Sequence, residues 1–174
     1  MNAAKEGSKM TRKNATEIKA EPNRQEFLIT REFDAPREMV FKAFTDPALL
    51  AQWFLPRELN LKIDVMDCRT GGSYHHVHTH ANGMQFGFIG VFHEVTAPER
   101  IVKTSEFEGL PERGHVVLEI TSFEEFPDDR TRVTIQSVCR SVAQRDGMLK
   151  AGMEPAITVA HNQLDELLVK GLPA

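Results

Sequence analysis

Ile157-Thr158-Val159-Ala160-His161-Asn162-Gln163-Leu164-Asp165-Glu166-Leu167-Leu168-Val169-Lys170 decides the fold. Ile157, Ala160, His161, Leu164, Leu167 and Leu168 recur at the i, i+3, i+4, i+7 spacing of one helical face. Gly152 and Pro155 punctuate the chain ahead of this helix, which runs to about Val169, and Lys170-Gly171 closes it. A single long amphipathic helix at the end of a chain needs an apolar surface to cover. The preceding sequence supplies one, because most of it alternates with a period of two.

Glu26–Phe33 reads as a first strand, with Phe27, Ile29, Arg31 and Phe33 on one face. Asp34-Ala35-Pro36 starts a short helix whose stripe is Val40, Phe41 and Phe44. Thr45-Asp46-Pro47 starts a second, carrying Leu49, Leu50, Trp53 and Phe54 and ended by Pro56. From residue 58 the alternation returns in Leu59, Leu61, Ile63 and Val65. Further strands follow at 74–80, 84–95, 101–107, 115–123 and 131–139, with Asn82-Gly83 marking a hairpin turn. A short helical piece at 142–151 precedes the long helix. The reading is α+β: a helix-grip domain in which a seven-stranded curved antiparallel sheet wraps the C-terminal helix, with two short helices between strands one and two. One helix cannot fill a wide concave sheet, so an interior cavity is expected. The domain spans residues 25–170. Residues 1–24 are polar and read as a disordered tail, too poor in apolar surface to offset ordering.

The 174 residues carry 41% apolar and 26% charged side chains and a formal net charge of −4, with the two signs mixed. No continuous basic field for nucleic acid or an anionic membrane is present. Cys68 and Cys139 lack CxxC spacing and read as reduced thiols of a cytoplasmic protein. There is no nucleophile elbow, phosphate loop, dinucleotide fingerprint or HExxH, so the reading is non-catalytic and expects no cofactor.

A series of short pieces then carries a resemblance. They are Thr30 to Phe41 with Asp34-Ala35-Pro36 inside, Thr45-Asp46-Pro47 with Trp53, Gly71-Gly72-Ser73-Tyr74, Gly90 to Val95 with Pro98-Glu99-Arg100, Gly152-Met153-Glu154, and Leu164-Asp165-Glu166-Leu167-Leu168. In this order they resemble the SRPBCC (START-like) superfamily over about residues 26–169. Within it they are similar to proteins named for the activator of the heat-shock ninety-kilodalton chaperone ATPase. The resemblance implies a helix-grip fold with an interior pocket. Its members include ligand carriers, aromatase-cyclase-like proteins and chaperone activators, and the shared motifs are structural, so no catalytic residue carries over.

The chain departs from the family pattern at Tyr74-His75-His76-Val77-His78-Thr79-His80. Tyr74, His76, His78 and His80 share one strand face, and the family pattern places apolar groups at the first three. That face is expected to point inward. The imidazoles are then hydrogen-bonded groups of a wet interior, ligand contacts, or two members of a metal set completed by His161 or His93. The candidate ligand-binding residues are Trp53, Tyr74, His76, His78, Phe88, Ile157 and His161, and no metal site is assigned. The expected partner is a small hydrophobic or aromatic molecule, with neither nucleic acid nor membrane. A co-chaperone-like protein interaction, and a cyclase- or dehydratase-like enzyme using a pocket histidine, are the alternatives.

Overall fold

The computed structural model describes residues 14–172. Its strands are β1 (Glu17–Lys19), β2 (Glu26–Phe33), β3 (Asn60–Met66), β4 (Ser73–Thr79), β5 (Gln85–Thr96), β6 (Arg100–Phe107), β7 (Val116–Phe126) and β8 (Arg130–Val138). The helices are α1 (Arg37–Thr45), α2 (Pro47–Trp53), α3 (Val142–Lys150) and α4 (Met153–Lys170). All strands join one antiparallel sheet in the order β1-β2-β8-β7-β6-β5-β4-β3. The α+β helix-grip reading therefore holds: a curved, open sheet with α4 on its inner face.

The sheet has eight strands rather than seven. The added strand, β1, pairs Glu17, Ile18 and Lys19 with Thr30, Ile29 and Leu28. It lies inside the span read as a tail, so that reading is corrected at Glu17–Lys19, which pair with the sheet, and residues 1–13 lie outside the described residues. Three residues with one large apolar side chain leave no periodic signal. The pairing supplies what the sequence does not show: it occupies the open hydrogen-bonding edge of β2 and packs Ile18 against an apolar cluster.

Local chemistry explains the elements around the interior. Asp46 caps α2, its carboxylate accepting from the Ala48 and Leu49 amides at 2.9 and 3.3 Å. Trp53 at the end of α2 is fully buried and its indole N–H donates to the Ala43 carbonyl at 2.9 Å. This locks α2 onto α1. Gly90 lets β5 cross close to its neighbours, since a Cβ there would stand 1.9 Å from the Thr104 carbonyl oxygen and 2.5 Å from the Tyr74 ring. Gly152 takes φ +82° between α3 and α4, a backbone state that breaks the helix cleanly.

The apolar interior forms two clusters. The larger holds Phe33, Phe41, Trp53, Tyr74, Phe92, Phe123, Val133, Leu164 and Leu168 at the α1–α2 end. The smaller holds Phe27, Ile29, Val117 and Cys139, with Met148, Met153 and Ile157 packed on it. Ile135 touches both. Leu164 is completely buried, as the stripe on α4 requires. Both cysteines are free. Among the described residues no helix is long and apolar enough to cross a membrane.

Candidate functional site

Strand alternation sets which polar groups face the helix. On β6, Lys103 shares the inward face with the buried Ile101; on β7, Glu119 shares it with Val117 and Thr121. On β4, Tyr74, His76 and His78 point the same way. Lys103 and Glu119 lie on the central strands β6 and β7, whereas Tyr74, part of the larger apolar cluster, and the two histidines lie on β4, next to the edge strand β3.

Lys103 and Glu119 make an ion pair at 3.0 Å. The Lys103 ammonium also sits 4.7 Å from the centre of the Tyr74 ring, a cation–π contact. The Tyr74 hydroxyl donates to the Thr104 carbonyl at 2.9 Å. Burial alone would favour the neutral lysine, but the Glu119 charge and the Tyr74 hydroxyl outweigh it and hold the ammonium above its ordinary range. Burial raises the Tyr74 phenol. Although they face inward, Lys103 and Glu119 retain 21% and 24% side-chain exposure, so solvent reaches part of this pair.

His76 is buried and His78 half-buried. His76 lies 4.8 Å from Tyr74, and His78 lies 4.4 Å from Phe88, between ring centres. Phe54 meets both imidazoles edge-on at 6.0 and 6.1 Å. The Nε2 atoms of both histidines are buried without a hydrogen-bond partner. A buried polar atom left unsatisfied costs about 1–3 kcal/mol, so two side by side are an energetic liability of the closed structure. Desolvation pushes His76 down to about 3, helped by the charge of Lys103, and His78 down to about 4. Both rings are therefore neutral at physiological pH, each with one donor nitrogen and one acceptor.

The sequence-predicted residues do not form one group. Tyr74, His76, His78 and Phe88 come together as a row of rings along β4 and β5. Trp53 meets Phe54 at 5.8 Å, and Phe54 in turn meets His76 and His78. Ile157 packs on the smaller cluster. His161 lies apart: its Nδ1 bonds the Thr16 hydroxyl at 2.9 Å and its ring meets Phe33 edge-on. Burial, with the charge of Arg31 nearby, lowers its pKa to about 3. His93 is exposed on β5. Neither completes a metal set with His76 and His78, and no group of three His, Cys, Asp or Glu suited to a metal occurs among the described residues.

Sequence reasoning missed Lys103 and Glu119, although a charged residue in phase with Ile101 and Val117 was the available signal. It placed Arg31 on the inward face without assigning it a role. Arg31, only 3% exposed, bonds Thr16 at 3.1 Å, Asn162 at 3.0 Å and the Asp165 carboxylate. It ties β1, β2 and α4 together. Gln163 was also missed: its amide donates to the Trp53 and Leu55 carbonyls at 2.9 and 2.7 Å, fastening α4 to the backbone on either side of Phe54.

An open antiparallel sheet gripping a C-terminal helix, with two short helices closing one end, defines the helix-grip class of the SRPBCC superfamily. The chain belongs to the family described as Activator of Hsp90 ATPase homolog 1-like protein, which matches residues 34–169. Among solved structures, a Rhodobacter sphaeroides protein superposes with a TM-score of 0.81 at 21% identity, covering 90% of this chain and 99% of that one. A protein from Arthrobacter aurescens gives 0.79 at 25% identity, covering 91% and 92%. An AHSA1 protein from Silicibacter pomeroyi gives 0.69 at 21% identity, covering 84% and 99%. The likenesses at 21% identity establish the fold alone. No curated protein sequence matches the chain.

Proposed function

We propose that this protein binds a small, largely apolar molecule between the sheet and α4, without transforming it. The observation that carries the reading is the mixed character of the interior. Two apolar clusters, bridged by Ile135, share the inner face of the sheet with polar groups that keep partial solvent exposure, notably the Lys103–Glu119 pair. Ligand sites are typically apolar surfaces with a few fixed polar groups, and this interior has that composition. Ile135, Ile157 and Met153 supply apolar walls; Tyr74 and the ion pair supply polarity. The position is internal, so affinity depends on interior volume. An environment-sensitive apolar dye should gain fluorescence with the parent protein and lose that gain with Ile157→Trp, which adds bulk between α4 and the sheet. Equal dye response in both proteins sinks the reading.

The family's name supports a second reading, stimulation of a chaperone ATPase through the protein surface. The two separate on the same variant. A surface activator keeps its effect when the interior is filled by Ile157→Trp, whereas an effect carried by a bound molecule disappears with it.

A further inference from the structure

We propose that Phe54 is a displaceable plug over a polar subsite, and that the ligand is a hydroxyl-bearing aromatic whose ring takes the place of the Phe54 ring and whose hydroxyl bonds the Nε2 atoms of His76 and His78. The inference rests on the interior-binding reading above and names the chemistry of its ligand.

Three observations lead to it. His76 and His78 share the inward face of β4 two residues apart, and the Nε2 atom of each is sealed from solvent and unpartnered. The ring that covers both is Phe54, which has no polar atom to offer either of them. Phe54 itself is only half-buried, so the residue lies at the boundary with solvent rather than locked in the core. Its backbone is pinned, since Gln163 holds the carbonyls of Trp53 and Leu55 and the Phe54 amide donates to the Leu50 carbonyl at 3.0 Å. Displacement is therefore a side-chain rotation that leaves α2 and α4 in place.

The exchange has a driving force. With the plug in, two buried nitrogens lack partners. A phenol restores the ring contacts that Phe54 made with the imidazoles and adds the group that Phe54 lacks. A hydroxyl both donates and accepts, so it serves either tautomer of a neutral imidazole. Trp53, Tyr74 and Phe88 around the row offer further aromatic walls for a larger ring system. A metal is a poorer fit, because two imidazoles alone make an incomplete set and no suitable group of three occurs among the described residues.

The test compares phenol with benzene, by calorimetry and by the ¹⁵N resonances of the histidine rings. The proteins are the parent, Phe54→Ala, and His76→Phe combined with His78→Met. Phenol should bind parent and Phe54→Ala at least about threefold tighter than benzene, despite its stronger hydration, with Phe54→Ala the tighter binder of the two proteins. The paired histidine variant should reverse the preference in favour of benzene. In the parent, phenol should move the Nε2 resonances of His76 and His78, and this readout stands even if Phe54→Ala fails to fold. If phenol and benzene bind alike and the resonances stay put, the hydroxyl subsite is wrong while interior binding survives. A shift of those resonances by zinc and not by phenol overturns it in favour of a metal. If neither probe binds and the dye shows no response to the parent, the binding reading falls along with the subsite.

Discussion

Lowering the pH from 7 to 5 should destabilise this fold through its interior histidines, by an amount that can be worked out. His76 and His78 are held neutral in the fold, at about 3 and about 4, while an unfolded imidazole titrates near 6.5. The folded pKa lies below the unfolded one, so as pH falls through 6.5 the unfolded chain takes up protons that the fold refuses. Stability is therefore full above that pH and lost progressively down to the folded values. A ring that stays neutral throughout loses about 2 kcal/mol of folding free energy between pH 7 and pH 5. His78 is half-buried and contributes less than His76, so the pair should account for roughly 3–4 kcal/mol. The assay is urea unfolding at both pH values for the parent and for His76→Phe combined with His78→Met. Carboxylates titrate alike in the two proteins, and His161 remains in both, so the difference isolates the β4 pair. The variant should lose roughly 3–4 kcal/mol less than the parent over this interval. Equal losses would mean that both rings titrate in the fold, with water at their nitrogens, and the account of a sealed, unpartnered pair would be refuted.

Other perturbations follow from the same packing. Leu164→Ala removes a fully buried side chain of the α4 stripe and should cost about 2–5 kcal/mol in denaturant unfolding; a loss under ~0.5 kcal/mol would place the stripe in solvent. Asp165→Ala leaves the buried Arg31 guanidinium short of its carboxylate and should cost about 1.5–3 kcal/mol, whereas Arg57→Ala, at an exposed pair with Glu166, should cost under about 1 kcal/mol. Deleting the chain through Lys19 should lower the melting temperature by several degrees, roughly 2–4 °C per kcal/mol at this size. That deletion strips β1 from β2 and takes Thr16 from Arg31 and His161. An unchanged melting temperature would mean that β1 adds nothing to the fold.

The legible parts of this fold are those with long periodic signals. α4 was readable because its apolar positions repeat over about three turns, and the long strands because their alternation is sustained. β1 was not, because three residues carry no period and its stability comes from pairing with a strand edge. The inward orientation of His76 was legible from alternation together with the family pattern. The neighbours that define its environment were not: Phe54 arrives from just past the end of α2 and Lys103 from β6, contacts fixed only once the sheet has curved around the helix. His161 shows the same limit. Its place on the α4 stripe suggested a pocket contact, but its partner is Thr16, 145 residues away at the other end of the chain. Lys103 and Glu119 were within reach of the sequence, since each breaks an apolar inward row; a charged residue in such a row is paired, as these two are, or faces a wet interior.

The central claim, that small apolar molecules enter between the sheet and α4, is tested most directly by methyl-resolved NMR during titration with an apolar aromatic probe. The account predicts shifts concentrated at Ile135, Met153, Ile157 and Leu164, which line the inner face of the sheet and the helix over it. Shifts confined to Val91, Val116 and Leu118, exposed on the outer face, would place binding on the wrong side of the sheet and contradict it.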